Sequence, residues 1–305
     1  MTSPTQEERY YRTMKIAIAT DTNSGITASE GEKLGVFVLA MPVNLEETIH
    51  YEGIDITSEQ LYDAMRQHRD VSTSQPSPGQ LMELWDGILA KGYDEIVYIP
   101  MSSGLSGSCQ SAALFAQDYD GRVQVVDNHR ISVTQKESVI SALRLVEQGY
   151  DAGQIREFLE KHAYDASIYI TVDSMEYLKK GGRVTPAAAT LATVLNLKPV
   201  LTIQGDKLDA FAKVRGMKLA ESKMIEAIHQ DRAERFKDVP ESRLLIETAG
   251  TLENGELAEH WRQQVQAEFP FAKVSYANLP CSIACHLGMN SVATVIMTEE
   301  VQRAD

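Results

Sequence analysis

Ser102, Ser103, Ser106 and Ser108 fall within seven residues, with Gly104 and Gly107 between them. The apolar run "EIVYIP" leads into this cluster and the helical pattern "CQSAALFA" leads out of it. Hydroxyls can donate to an anionic oxygen without carrying charge. Glycines let a ligand approach the backbone, and a helix beginning near Ser106 adds unpaired N–H groups and a positive dipole end. Together these suit a carboxylate or phosphate. The plainer reading is that the serines only cap the helix.

Three further stretches carry residue types of use to such a site. "STSQPSPGQ", Ser72 to Gln80, is also hydroxyl-rich and also precedes a helix start, so Thr73 and Ser74 can converge with the first cluster on one anion. "MEYLKKGGRVTP" ends a helix at Gly181-Gly182 and sets Arg183 just before a second helix start at Thr185-Pro186. A guanidinium there can grip a carboxylate or phosphate through two hydrogen bonds. Arg183 lies in a basic segment: Lys179 to Lys223 holds nine Lys/Arg against three Asp/Glu, in a chain of net charge −14. A solvated helix face is the alternative reading of that segment.

"CSIACHLGMN" supplies His286, read as part of a Gly-containing loop before the last strand, where it can donate to an anionic oxygen. Its Cys-x3-Cys-His spacing fits neither haem attachment nor a structural zinc site, so no metal is expected. No phosphate loop, dinucleotide fingerprint or nucleophile elbow occurs. A serine hydrolase or acyl transferase using Ser103 or Ser106 with His286 is the competing chemistry, although no acid is marked behind the histidine.

These residues must be positioned by alternating elements. "KIAIAT", "GVFVLAMPV", "EIVYIP" and "RVQVVD" read as strands buried on both faces. Helices between them start at capping boxes, Thr57 with Gln60 and Ser77 with Gln80, the second with Pro78 as first helical residue. Another helix is read from Asp151 to Ala163. The rhythm then changes to "SIYITV", "KPVLTI", "KLDAFAKV", "RLLIETA", "AKVSYA" and "SVATVIM", with a hairpin-like turn at Gln204–Asp206. The expected fold is α/β in two domains: a polar N-terminal lead (1–14), a mainly parallel sheet with helices on both faces (15–165), and an α/β domain with a mixed sheet (166–305).

The acidic balance argues against nucleic acid or an anionic membrane as a general partner. Three cysteines cannot build a disulfide framework and suit a reducing compartment. The first residues lack the apolar core of a signal peptide, and no apolar run reaches about 18 residues, so a cytoplasmic protein without an integral membrane segment is expected.

"TSQPSPGQ", "SSGLSGSCQSA", "YLKKGGRVTPAAATLATVLNLKPVLTI" and "KVRGMKLA", in that order, resemble the DegV family, and "KIAIATDTNSGI" and "VDNHRIS" match it in type. The resemblance runs from about Lys15 to Met297. It implies a two-domain lipid-binding protein, without catalytic residues or cofactor of its own, holding one long-chain fatty acid in an apolar tunnel between the domains. A separate kinase subunit would convert the bound carboxylate to an acyl phosphate for phospholipid metabolism. By position, the carboxylate would be held by Thr73 and Ser74, by Ser102, Ser103 and Gly104, and by His286, with Arg183 at the phosphate and partner side. Three places depart from the family pattern: "HLGMN" stands for an "HTGPG"-type loop, "DTNSGI" for a run such as "DSTSDL", and His129-Arg130 for small or polar residues.

Overall fold

A computed structural model describes residues 14–190, 197–205 and 207–302. Residues 1–13 of the polar lead, 191–196 of the "TPAAATLATVLN" stretch, and Asp206 of the expected turn lie outside the described residues. In chain order the first half holds β1 (Ile16–Asp21), β2 (Val36–Leu39), β3 (Pro42–Leu45), β4 (Thr48–Tyr51), β5 (Val71–Thr73), β6 (Glu95–Ile99) and β7 (Val123–Val125). The second holds β8 (Ala166–Thr171), β9 (Leu197–Ile203), β10 (Asp209–Arg215), β11 (Leu244–Gly250), β12 (Tyr276–Asn278) and β13 (Val292–Thr298).

The first sheet has the order β2-β1-β6-β7, parallel throughout. Successive side chains of a strand point to opposite faces. Ala17, Ala19, Ile96 and Tyr98 therefore pack on Leu81, Trp85 and Ile88 of the helix Pro78–Ala90. Ile18, Val97 and Ile99 pack on the other side, against Val139 and Leu145 of the helix Val133–Glu147 and Ile155 and Leu159 of the helix Ala152–Lys161. Both faces are covered, which explains the nearly unbroken apolar runs. Capping boxes form at Thr57–Gln60, Ser77–Gln80 and Asp151–Gln154, so each of these helices begins where its side-chain oxygen meets the N3 amide.

The second sheet has the order β10-β9-β8-β13-β11-β12 and is mixed, with β11 and β12 parallel and its other pairs antiparallel. One face, carrying Tyr169, Ile246 and Ile296, is closed by the helices Met217–Glu234 and Gly255–Glu268. The opposite face, with Ile168, Ile170 and Val295, turns toward the first half and meets Leu105 and Val133. A small antiparallel sheet, β4-β3-β5, rests on the helix Cys281–Leu287 through Val43, Val71, Cys281 and Cys285, joined by Leu61 of the helix Ser58–Arg66. Beyond β13 the chain returns to the first half. Val301 is buried with Val139 and Leu145, Glu300 pairs with Arg130, and Glu299 accepts from Arg144 at 2.7 Å.

Local details differ from the sequence reading. "GVFVLAMPV" is two strands in two sheets, because the chain crosses between sheets at Ala40-Met41 and Pro42, lacking an N–H, opens β3. "AKVSYA" yields only the short β12. The helix Val133–Glu147 carries no capping signal: Ser132 has φ 57° and no side-chain cap bond.

Candidate functional site

An apolar cavity of about 70 Å³ lies on the inner face of the second sheet. Ile168, Ile170 and Val295 form its floor, and Met101, Leu105 and Ile131 cover it from the first half. The helix Cys281–Leu287 forms a wall, lending Ser282 and His286 as polar residues one turn apart.

The corner at His286 is built from three distant segments. Thr73 ends β5, and the pairing of β5 with β3 aims its hydroxyl at the helix, where Oγ1 lies 2.8 Å from His286 Nε2. The opposite edge of the imidazole lies on Gly181: a Cβ there would stand 2.4 Å from Nδ1, so a side chain at 181 would drive the ring off Thr73. The next residue, Gly182, closes the helix Glu176–Gly181 in the left-handed region at φ 69° and turns Arg183 inward. Arg183 lines the cavity, donating from Nε to the Leu105 carbonyl at 3.3 Å and from Nη1 to the Gly181 carbonyl. Among the described residues no carboxylate is paired with this guanidinium. Burial, followed by the charge of Arg183, pushes the His286 imidazole down to about 4, so it is neutral near pH 7. His286 sits in the last turn of a helix and not in the loop expected for it.

The two Ser/Thr junctions do meet. Gln75 Oε1 accepts from Ser111 Oγ at 3.3 Å and lies against Gly107, joining the "TSQPS" loop to the helix that follows "SSGLSG". The individual serines are placed less uniformly. Ser102 is fully buried and gives its hydroxyl hydrogen to the Gly205 carbonyl at 2.7 Å, while accepting from the Gly104 amide at 3.1 Å. It thereby ties the first half to the turn after β9. Ser103 donates its amide to Asp127 Oδ1 at 3.2 Å, Ser106 Oγ accepts from the Ser108 amide at 3.1 Å, and Ser74 is exposed. The helix itself begins at Ser108 rather than near Ser106. Of the expected site residues, Arg183 and His286 line the cavity and Thr73 reaches it only through His286, whereas Ser74, Ser102, Ser103 and Gly104, like Thr73 itself, stand outside the lining.

A second polar group borders the cavity and was not singled out as a site in the sequence. Ser282 Oγ lies 2.8 Å from Asn23 Oδ1 and 2.9 Å from Glu52 Oε2, and Glu52 also accepts from Thr22 Oγ1 at 2.8 Å and from the Cys281 amide. Burial pushes the Glu52 carboxyl up, an effect the bonds from Thr22 and Ser282 oppose. Asp21, also buried, is pushed up in the same way. These contacts join residues 229 and 259 positions apart, and no local pattern signals them. Among the described residues no helix is long and apolar enough to cross a membrane.

The family model described as "Uncharacterised protein, DegV family" matches residues 15–299. A DegV domain-containing protein of Deinococcus radiodurans is 35% identical over 218 residues, covering 71% of this chain and 77% of that protein. Among solved structures, a DegV family protein from Thermus thermophilus reported for fatty acid binding superposes with a TM-score of 0.83 at 30% identity, over 93% of this chain and 100% of that one. DegV from Bacillus subtilis, described as a fatty acid binding protein, gives 0.81 at 26% identity, over 93% and 99%.

Proposed function

The chain belongs to the DegV family, and we propose that it holds one long-chain fatty acid in the cavity between its halves and presents the carboxylate to a separate kinase subunit, which forms the acyl phosphate. The observation that carries this reading is the pairing of an apolar cavity with a corner made of a neutral imidazole, a hydroxyl and a guanidinium that has no acid partner among the described residues. A carboxylate there receives donors from the hydroxyl and the guanidinium, with the imidazole holding the hydroxyl in place. His286 Nε2–H donating to Thr73 Oγ1 leaves the threonine hydrogen free for the ligand, and Arg183 offsets the buried charge. An unpaired buried carboxylate would cost several kcal/mol.

The acyl tail supplies the affinity, at about 0.8 kcal/mol per buried CH₂, less the ordering cost. The cavity of about 70 Å³ is about half the roughly 150 Å³ that admits benzene in an engineered core. The tail therefore enters by parting flexible lining side chains such as Met101 and Leu105. Ser74, Ser103 and Gly104 join the carboxylate site as the two loops close on it, and Arg183 serves the phosphate side. Hydrolysis by Ser103 or Ser106 has no comparable support, since His286 is bonded to Thr73 instead.

Mass spectrometry of an organic extract of the purified protein tests this reading. A co-purifying fatty acid is expected. Protein that is empty and has no affinity for any acyl chain would end the proposal.

A further inference from the structure

Asn23 is held in place by its backbone: its amide donates to Asp21 Oδ1 at 3.0 Å and its carbonyl accepts from the Ser132 amide at 2.9 Å. Its side chain lines the cavity and is 1% exposed, and among the described residues its Nδ2 makes no hydrogen bond of full geometry, its charged neighbour being the Asp21 carboxylate. A buried donor left so costs about 1–3 kcal/mol, so this amide is matched to something that enters the cavity.

The bonds around Ser282 say what that is. Its one hydroxyl hydrogen has two acceptors in range, Asn23 Oδ1 at 2.8 Å and Glu52 Oε2 at 2.9 Å. When the hydrogen goes to Asn23, the amide turns its NH₂ to the cavity. When it goes to Glu52, the amide turns over, donates to Ser282, and presents its oxygen instead. A methylene answers neither state, and a ketone or ether oxygen answers only the first. A hydroxyl answers both, because it can accept and donate.

We propose that Asn23 and Ser282 form a second polar station in the cavity, which takes a hydroxyl carried on the acyl chain. The proposal rests on the fatty-acid reading above. Ser282 and His286 are four residues apart on one helix face, so the station lies about 6 Å from the carboxylate corner. One carboxylate cannot reach both. Carbon–carbon bonds of about 1.5 Å, projected along an extended chain, put the hydroxyl roughly five bonds from the carboxyl carbon.

Competition against a fluorescent acyl probe on the full-length protein tests this, using palmitate, 6-hydroxypalmitate and 16-hydroxypalmitate. The 6-hydroxy acid is expected to bind about tenfold more tightly than the other two. In Asn23→Ala that preference should fall to near one, with thermal melting to check that the variant is folded. Equal binding of palmitate and 6-hydroxypalmitate to the native protein would mean that water alone serves the amide, and would overturn the proposal while leaving fatty-acid binding intact. A tenfold preference that survives in Asn23→Ala would overturn the assignment to Asn23. Failure of all three acids to bind would overturn the underlying reading, and this one with it.

Discussion

Two arginines stand where the halves of the molecule meet, and the protein treats them in opposite ways. Arg130, 2% exposed, has every nitrogen engaged: Glu300, the carbonyls of His162 and Ala163, and the Ser138 hydroxyl. Arg183 is partly buried and donates only to two backbone carbonyls among the described residues. The first is a closed account of charge, which makes it a fastener. The second keeps donor capacity in reserve beside an apolar cavity, which is what an incoming anion needs. The charge is the same in the two places, and the difference lies in burial and in the partners.

The largest test of this contrast is the fastener. Arg130→Ala leaves the Glu300 carboxylate buried and unpaired and should cost about 3–5 kcal/mol in urea unfolding. A loss below about 1 kcal/mol would show that the pair holds little. The next test uses acidity, where the two places have opposite signs. His286 is lowered to about 4 from 6.5. The unfolded chain therefore protonates first, and this stability is complete above about pH 6.5 and lost as pH falls to about 4, amounting to at most about 3 kcal/mol. Glu137, beside Arg144 at the fastener, is raised to about 7 from 4.5, chiefly by burial. Its contribution is present below about pH 4.5 and is lost as pH rises through 7. His286→Asn should flatten the acid loss, and Glu137→Gln the loss toward neutrality. Unfolding curves of each variant with the same pH slope as the native chain would break the comparison.

Smaller effects sharpen it. Thr73→Val removes one aimed donor and should weaken fatty-acid binding about fivefold by titration calorimetry. Unchanged affinity would take Thr73 out of the site. Arg183→Ala should alter unfolding free energy by no more than about 0.5 kcal/mol, still carry lipid through its buried tail but at reduced affinity, and lower kinase-dependent phosphorylation. Unaltered phosphorylation would remove Arg183 from the presenting role.

What the sequence made legible follows the range of the signal. Helix starts at Thr57 and Ser77 depend on residues three apart, and the strand runs of the parallel sheet depend on burial of neighbours, so both are visible locally. The partnership of Thr73 with His286 spans 213 positions, and only family resemblance put them at one end. The sequence points to a loop at His286 because its seven-residue helix opens at Pro280 without a side-chain cap and stops at Gly288. The serines of "SSGLSG" advertise hydroxyls, but nothing local reveals that the Ser102 hydroxyl is committed to Gly205, 103 residues away. Asn23 stands out only as part of a departure from the family pattern, and Glu52 not at all, since two of its three partners, Cys281 and Ser282, lie at the far end of the chain and Thr22 lies 30 residues away.

Val301, wedged into the core of the first sheet, has a consequence for biogenesis. Domains generally fold as units while the ribosome is still adding residues, yet this one receives its final wedge about 150 residues after Leu145 is made. The nascent first half must wait with a gap beside Val139 and Leu145. The cavity between the halves accordingly has its full surroundings only once this late segment has docked on the first half.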